Sequence, residues 1–157
     1  MAFKVFISHS VDDLGVVYQL KYWLELNGIE TYLAELYPQP GVPLTDKIAS
    51  AMDQSHCVIG LITRAGGRSK WVNQELGYAR AKGKLIVPVV EQGESLAGFI
   101  ADKEYVLFDR TKPADAISRV VEYLAQVKAN KEDRDRALAG LAIFFGLLAL
   151  VAASSKK

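Results

Sequence analysis

From Cys57 to Val90 the chain reads CVIGLITRAGGRSKWVNQELGYARAKGKLIVPVV, and this stretch decides the fold. It opens with an uninterrupted apolar run, Cys57 to Ile62, and closes with another, Leu85 to Val90. Between them Val72, Leu76 and Ala79 recur at i, i+4 and i+7, the core face of a helix. A buried strand, a helix and a second buried strand make the unit of a parallel sheet, because a strand covered on both faces loses its polar alternation. Working outward, Val5-Phe6-Ile7 and Thr31-Tyr32-Leu33 read as strands, and Tyr105 to Phe108 as a fifth. Leu14 to Leu26 reads as a helix, with apolar residues at Val16, Val17, Leu20, Trp23 and Leu24 close to a 3.6-residue period. Asp46 to Gln54, Trp71 to Lys82 and Ala114 to Lys128 read as further helices. The expected architecture is α/β, a five-stranded parallel sheet with helices on both faces.

Length and composition bound the function. The chain has 157 residues, 50% hydrophobic and 24% charged, enough for one domain with a sizeable core. The apolar fraction excludes disorder. A net charge of +1 gives no field to draw in nucleic acid. One cysteine, Cys57, excludes an internal disulfide and fits a reducing compartment. Two histidines, His9 and His56, are too few and too scattered for a typical metal centre, so no metal ligands are expected. The N-terminus carries no secretory pattern.

The C-terminal part differs. Residues 131–136 (Lys-Glu-Asp-Arg-Asp-Arg) form a self-neutralising charged segment, expected to break the last helix of a domain over residues 1–130. Ala137 to Ala153 then runs for 17 residues without a charged or polar side chain, before the basic tail 154–157. At about 1.5 Å per residue that is roughly 26 Å of helix, the short end of a bilayer span. The expectation is a single-pass membrane anchor with the domain in the cytoplasm; the competing reading is a buried helix of the domain.

Ligands of open α/β sheets bind beyond the carboxyl ends of the strands. That rule selects Ser8-His9-Ser10, the proline-rich loop from Glu35 to Leu44, and Thr63 to Lys70. Each has a plain alternative. Ser10, Asp12 and Asp13 form a good helix start, so Asp13 is expected to cap the first helix. Arg64, Arg68 and Lys70 read as a solvated face. Several chemistries are excluded: there is no G-x-G-x-x-G, no P-loop and no G-x-S-x-G elbow. An acidic pair after strand one and an Asp after strand three, as a phosphoreceiver needs, are also missing.

Trp71, Glu75 and Tyr78 share a face adjacent to the core face of their helix. A carboxylate between two aromatics suits a cationic, partly apolar substrate. Together with Lys4-Val-Phe-Ile-Ser-His-Ser10, the Pro40-Gly41 loop and the run Trp71 to Ala79, this makes residues 4–129 resemble a Toll/interleukin-1 receptor (TIR) domain of the prokaryotic enzymatic type. The resemblance implies a flavodoxin-like sheet and cleavage of NAD⁺ at the nicotinamide–ribose bond, giving ADP-ribose or a cyclic ADP-ribose. The family's essential Glu, four residues after a Trp, falls on Glu75. Leu44 stands where several relatives place a stacking aromatic. Glu75 is thus the candidate catalytic residue, with Ser8, His9, Ser10, Leu44, Arg64, Trp71 and Tyr78 expected around the substrate. NAD⁺ would be the substrate, with no cofactor. Expected partners are other copies through their TIR domains and the membrane through 137–153, in prokaryotic immune or stress signalling. The alternative is a non-catalytic TIR scaffold that recruits partners through its proline-rich loop.

Overall fold

In the computed structural model of the chain, the described residues are 2–33, 40–66 and 69–154, with backbone alone at 99 and 140–154. Five strands form its sheet: β1 (Phe3–Ser8), β2 (Ile29–Tyr32), β3 (Cys57–Ile62), β4 (Leu85–Glu91) and β5 (Val106–Phe108). All pair in parallel, in the order β2-β1-β3-β4-β5. Four helices accompany them: α1 (Leu14–Leu26), α2 (Leu44–Gln54), α3 (Lys70–Ala81) and α4 (Pro113–Ser154).

The order follows from chain sense. From β1 the chain moves one way to β2 and then crosses back to β3, so right-handed crossovers put α1 and α2 on opposite faces. Side-chain alternation agrees. Phe6, Val58, Ile62, Ile86 and Val90 form one buried cluster with Ile48 and Met52 of α2 and Val72, Leu76 and Ala79 of α3. The intervening residues Val5, Ile7, Ile59, Leu61, Val87 and Val89 point to the other face and are equally buried. Burying each such side chain contributes about 1.5–3 kcal/mol.

Two details differ from the sequence reading, the start of β2 and the extent of the last helix. Strand β2 begins at Ile29, because its pairing with β1 starts at Phe3, opposite Ile29. No α-helix lies among the described residues between β4 and β5; a 3-10 turn, Gly98–Ile100, makes the connection and buries Ile100 in the cluster. The charged segment 131–136 does not end the last helix. Lys128–Glu132 and Lys131–Asp135 pair at i,i+4 and Arg136–Asp133 at i,i+3, so the charges pair along α4, which runs on to Ser154.

The chain divides into two units, residues 1–122 and 123–157. Among the described residues no helix is long and apolar enough to cross a membrane. The segment 137–153, expected as a separate transmembrane helix, is the last part of α4, and its side chains from 140 onward lie outside those described.

Candidate functional site

The site is built where β1 ends beneath α3. Ser8 and Gly60 are register partners on β1 and β3, on the face that α3 covers. A Cβ at Gly60 would stand 2.7 Å from a terminal methyl of Leu76, so glycine is what lets α3 sit this close to the sheet. Leu76 is fully buried there, and its neighbour Glu75 reaches the strand end. The Ser8 hydroxyl, itself 0% exposed, donates a hydrogen bond to Oε2 of Glu75. Ser69 caps α3, its hydroxyl accepting from Val72 N–H at 3.4 Å. One turn before Glu75, Trp71 is 46% exposed, an aromatic surface that a ligand can reach. Glu75 is partly exposed. The arrangement is a carboxylate fixed from below by a hydroxyl and bordered by an open indole.

The remaining sequence candidates divide. His9 follows Ser8, and its Nδ1 lies 3.0 Å from the Ile7 carbonyl, which makes Nδ1 the donor and fixes the ring. Ser10 accepts from Asp12 N–H and caps a 3-10 turn, Val11–Asp13. Leu44 opens α2 and is half exposed; residues 34–39 of its loop lie outside the described residues, as does Arg68. Tyr78 is turned to α2, where its hydroxyl donates to Asp53 at 3.0 Å and its body packs on the core cluster. Arg64 lines an open depression of about 530 Å³ with Asp12, Asp13, Ala65, Glu91 and Arg110, and Glu75 is not part of it.

That depression contains the largest difference from the sequence reading. Asp13 makes no side-chain capping bond at α1. Instead its carboxylate is buried, accepting from the Thr63 hydroxyl at 2.6 Å and from Arg110 at 3.0 Å. Arg110 also grips Glu91 through two nitrogens, at 2.8 and 3.0 Å, and Arg64 N–H donates to the same carboxylate at 3.0 Å. The Arg110 hydrogen bonds, aided by the Arg64 N–H, hold the Glu91 carboxyl down at about 2. The same contacts raise Arg110, with Glu91 the larger cause and Asp13 the next. Thr63 also accepts from Gly66 N–H at 2.8 Å, and a Cβ on Gly66 would fall 2.4 Å from the Leu61 carbonyl oxygen. Its three acids outnumber its two arginines, so this is a structural clamp rather than an anion site.

A family model for the TIR domain matches residues 5–121. The chain belongs to the TIR domain family. Solved structures share its fold. The TIR domain of the Toll-related receptor TRR-2 from Hydra magnipapillata is 18% identical, with a TM-score of 0.65, covering 78% of this chain and 97% of that one. The CMP N-glycosidase BcmB from Clostridium botulinum is 19% identical, with a TM-score of 0.56, covering 74% and 97%. A metazoan TIR-STING receptor from C. gigas, solved with 2',3'-cGAMP, is 23% identical at a TM-score of 0.60; the match covers 73% of this chain but only 38% of that one. No curated protein matches the chain. Within this TIR domain, sequence reasoning brought Ser8, Trp71 and Glu75 to one place. It missed Thr63, Glu91 and Arg110 as a clamp, for which the sequence carries no local signal.

Proposed function

We propose that this TIR domain cleaves NAD⁺ at the nicotinamide–ribose bond, with Glu75 as the catalytic carboxylate. The observation that carries this reading is the placement of Glu75: held by Ser8 at the end of β1, one helical turn from the exposed face of Trp71. Ordinary glycosidases need a second carboxyl group to protonate the leaving oxygen. Nicotinamide carries its positive charge in the ring and leaves neutral, so no acid is required. What remains is to stabilise an oxocarbenium-like ribose and orient it, and one fixed anion beside an aromatic wall suits both tasks. Water attack then yields ADP-ribose; attack by the adenine base yields a cyclic product. NAD⁺ enters as substrate and no cofactor takes part.

His9, Ser10 and Leu44 border the same end of the sheet and belong to the proposal as substrate contacts. Self-association through the loop from Glu35 to Leu44 would complete the site, and membrane attachment through 137–153 would concentrate copies in a plane with the TIR domain in the cytoplasm. The attachment rests on the uncharged composition of that segment alone. Full-length chain that resists carbonate extraction supports it; chain that stays soluble and monodisperse without detergent removes it and leaves the NAD⁺ reading untouched. A role in prokaryotic immune or stress signalling fits such an enzyme. The reading is tested by incubating the purified chain with NAD⁺ and, separately, with CMP. Release of nicotinamide supports it. Release of cytosine alone would move the same carboxylate to another N-glycoside, and release of neither favours a scaffold.

A further inference from the structure

We propose that Ser8 is a positioning residue for Glu75, holding its carboxylate ionised and aimed, rather than a group that touches substrate. The inference rests on the reading of Glu75 as the carboxylate that acts. Ser8 has no exposed surface from which to meet a ligand, and its hydroxyl is directed at Oε2 of Glu75. The two residues are 67 positions apart and come from different elements, so helix geometry alone does not impose the contact.

The surroundings are arranged for that contact. Ser8 and Gly60 stand side by side on adjacent strands, both with side chains too small to hold α3 off the sheet. Larger residues occupy the same face one step back, at Phe6 and Val58, and beyond, at Ile62. The gap over Gly60 receives Leu76, and on the adjacent strand the Ser8 hydroxyl meets the neighbouring Glu75. A hydroxyl that donates to a carboxylate favours the charged form and fixes its rotamer. Alanine differs from serine only by the hydroxyl, so packing alone does not call for serine at this position.

The test is a carbon-13 NMR titration of the glutamate side-chain carboxyls in the full-length chain, in the parent, Ser8→Ala and Ser8→Cys, with Glu75→Gln assigning the resonance. His9 follows Ser8 at the end of β1, Lys70, Tyr78 and Arg80 share α3 with Glu75, and Asp46, Lys47 and Asp53 lie on α2, which packs against α3; both variants leave all of these in place. Loss of the donor should raise the Glu75 midpoint by about one unit in Ser8→Ala, with Ser8→Cys, a weaker donor, in between. In parallel, the acid limb of NAD⁺ cleavage should move up by the same amount, with kcat down roughly 10-fold and KM little changed. A Glu75 midpoint identical in parent and both variants overturns the proposal. Parent that releases no nicotinamide would overturn the proposed reaction instead, and the titration would still decide whether Ser8 holds Glu75 charged. If Ser8→Ala does not fold, Ser8→Cys against the parent carries the same comparison.

Discussion

Asp13 and Glu75 both lie where the strands end, and the molecule treats the two carboxylates differently. Asp13 is buried, bonded to a hydroxyl and to a guanidinium that is itself locked onto Glu91. Glu75 is partly exposed, bonded to a buried hydroxyl and bordered by an indole open to solvent. The first carboxylate is committed to joining the loops after β1, β3 and β5. The second is presented to whatever enters. Acidity at a strand end is thus not by itself a sign of chemistry; what decides is whether a ligand can reach the charge. A buried charge that loses its partner is costly, so the clamp should fail as structure and the site should fail as catalyst.

Replacing Glu75 separates the two most strongly. Glu75→Gln retains an oxygen to accept from Ser8 but removes the anion, so nicotinamide release should fall by at least about 10²-fold. Its melting temperature should stay within about 2 °C of the parent, as expected for a partly exposed isosteric change. A folded Gln variant with near-parent turnover would erase the distinction.

Asp13→Ala should show the reverse. Thr63 and Arg110 each lose an acceptor, and stability in urea should drop by about 2–3 kcal/mol. Residual folded protein should keep most of its activity per molecule. Equal loss of activity in protein shown to be folded would mean that the clamp also serves the site.

Gly60→Ala probes the packing beneath Glu75. The added methyl meets Leu76, and overpacking there should cost about 1–3 kcal/mol while lifting α3 away from Ser8. Activity should fall further than stability explains. A variant as stable and as active as the parent would show that the close approach of α3 is incidental.

The smallest effect is in pH. The Glu91 carboxyl is depressed in the folded protein from 4.5 to about 2, first by its Arg110 hydrogen bonds. Its contribution is therefore complete above the unfolded value and is lost as pH falls from 4.5 towards about 2. Melting temperatures from pH 6 down to about 2 should fall less steeply in Glu91→Gln than in the parent. Parallel curves would show that the bidentate contact is not maintained in solution.

These contrasts also mark what the sequence could reveal. Helix α1 and strand β3 were legible to the residue, because apolar periodicity and an unbroken apolar run are local signals. Glu75 stands out in the sequence because Trp71 lies one turn away on the same helix and the pair resembles the family's motif. The clamp does not: Asp13 meets Thr63 across 50 positions and Arg110 across 97, and nothing near Asp13 distinguishes a clamp from a cap. Ser8 stands out only as a strand-end residue, because the carboxylate its hydroxyl meets lies 67 positions on. The run 131–136 misled because its charges could equally repel structure or pair along a helix, and i,i+3 and i,i+4 spacing made them pair.

The most direct measurement is the fate of NAD⁺ with the full-length chain at high protein concentration, with nicotinamide quantified and the second product identified by mass. The parent should release free nicotinamide together with ADP-ribose or a cyclic isomer, and Glu75→Gln should release neither. Intact NAD⁺ after prolonged incubation with folded, concentrated parent protein, or equal nicotinamide release by the Gln variant, would contradict it.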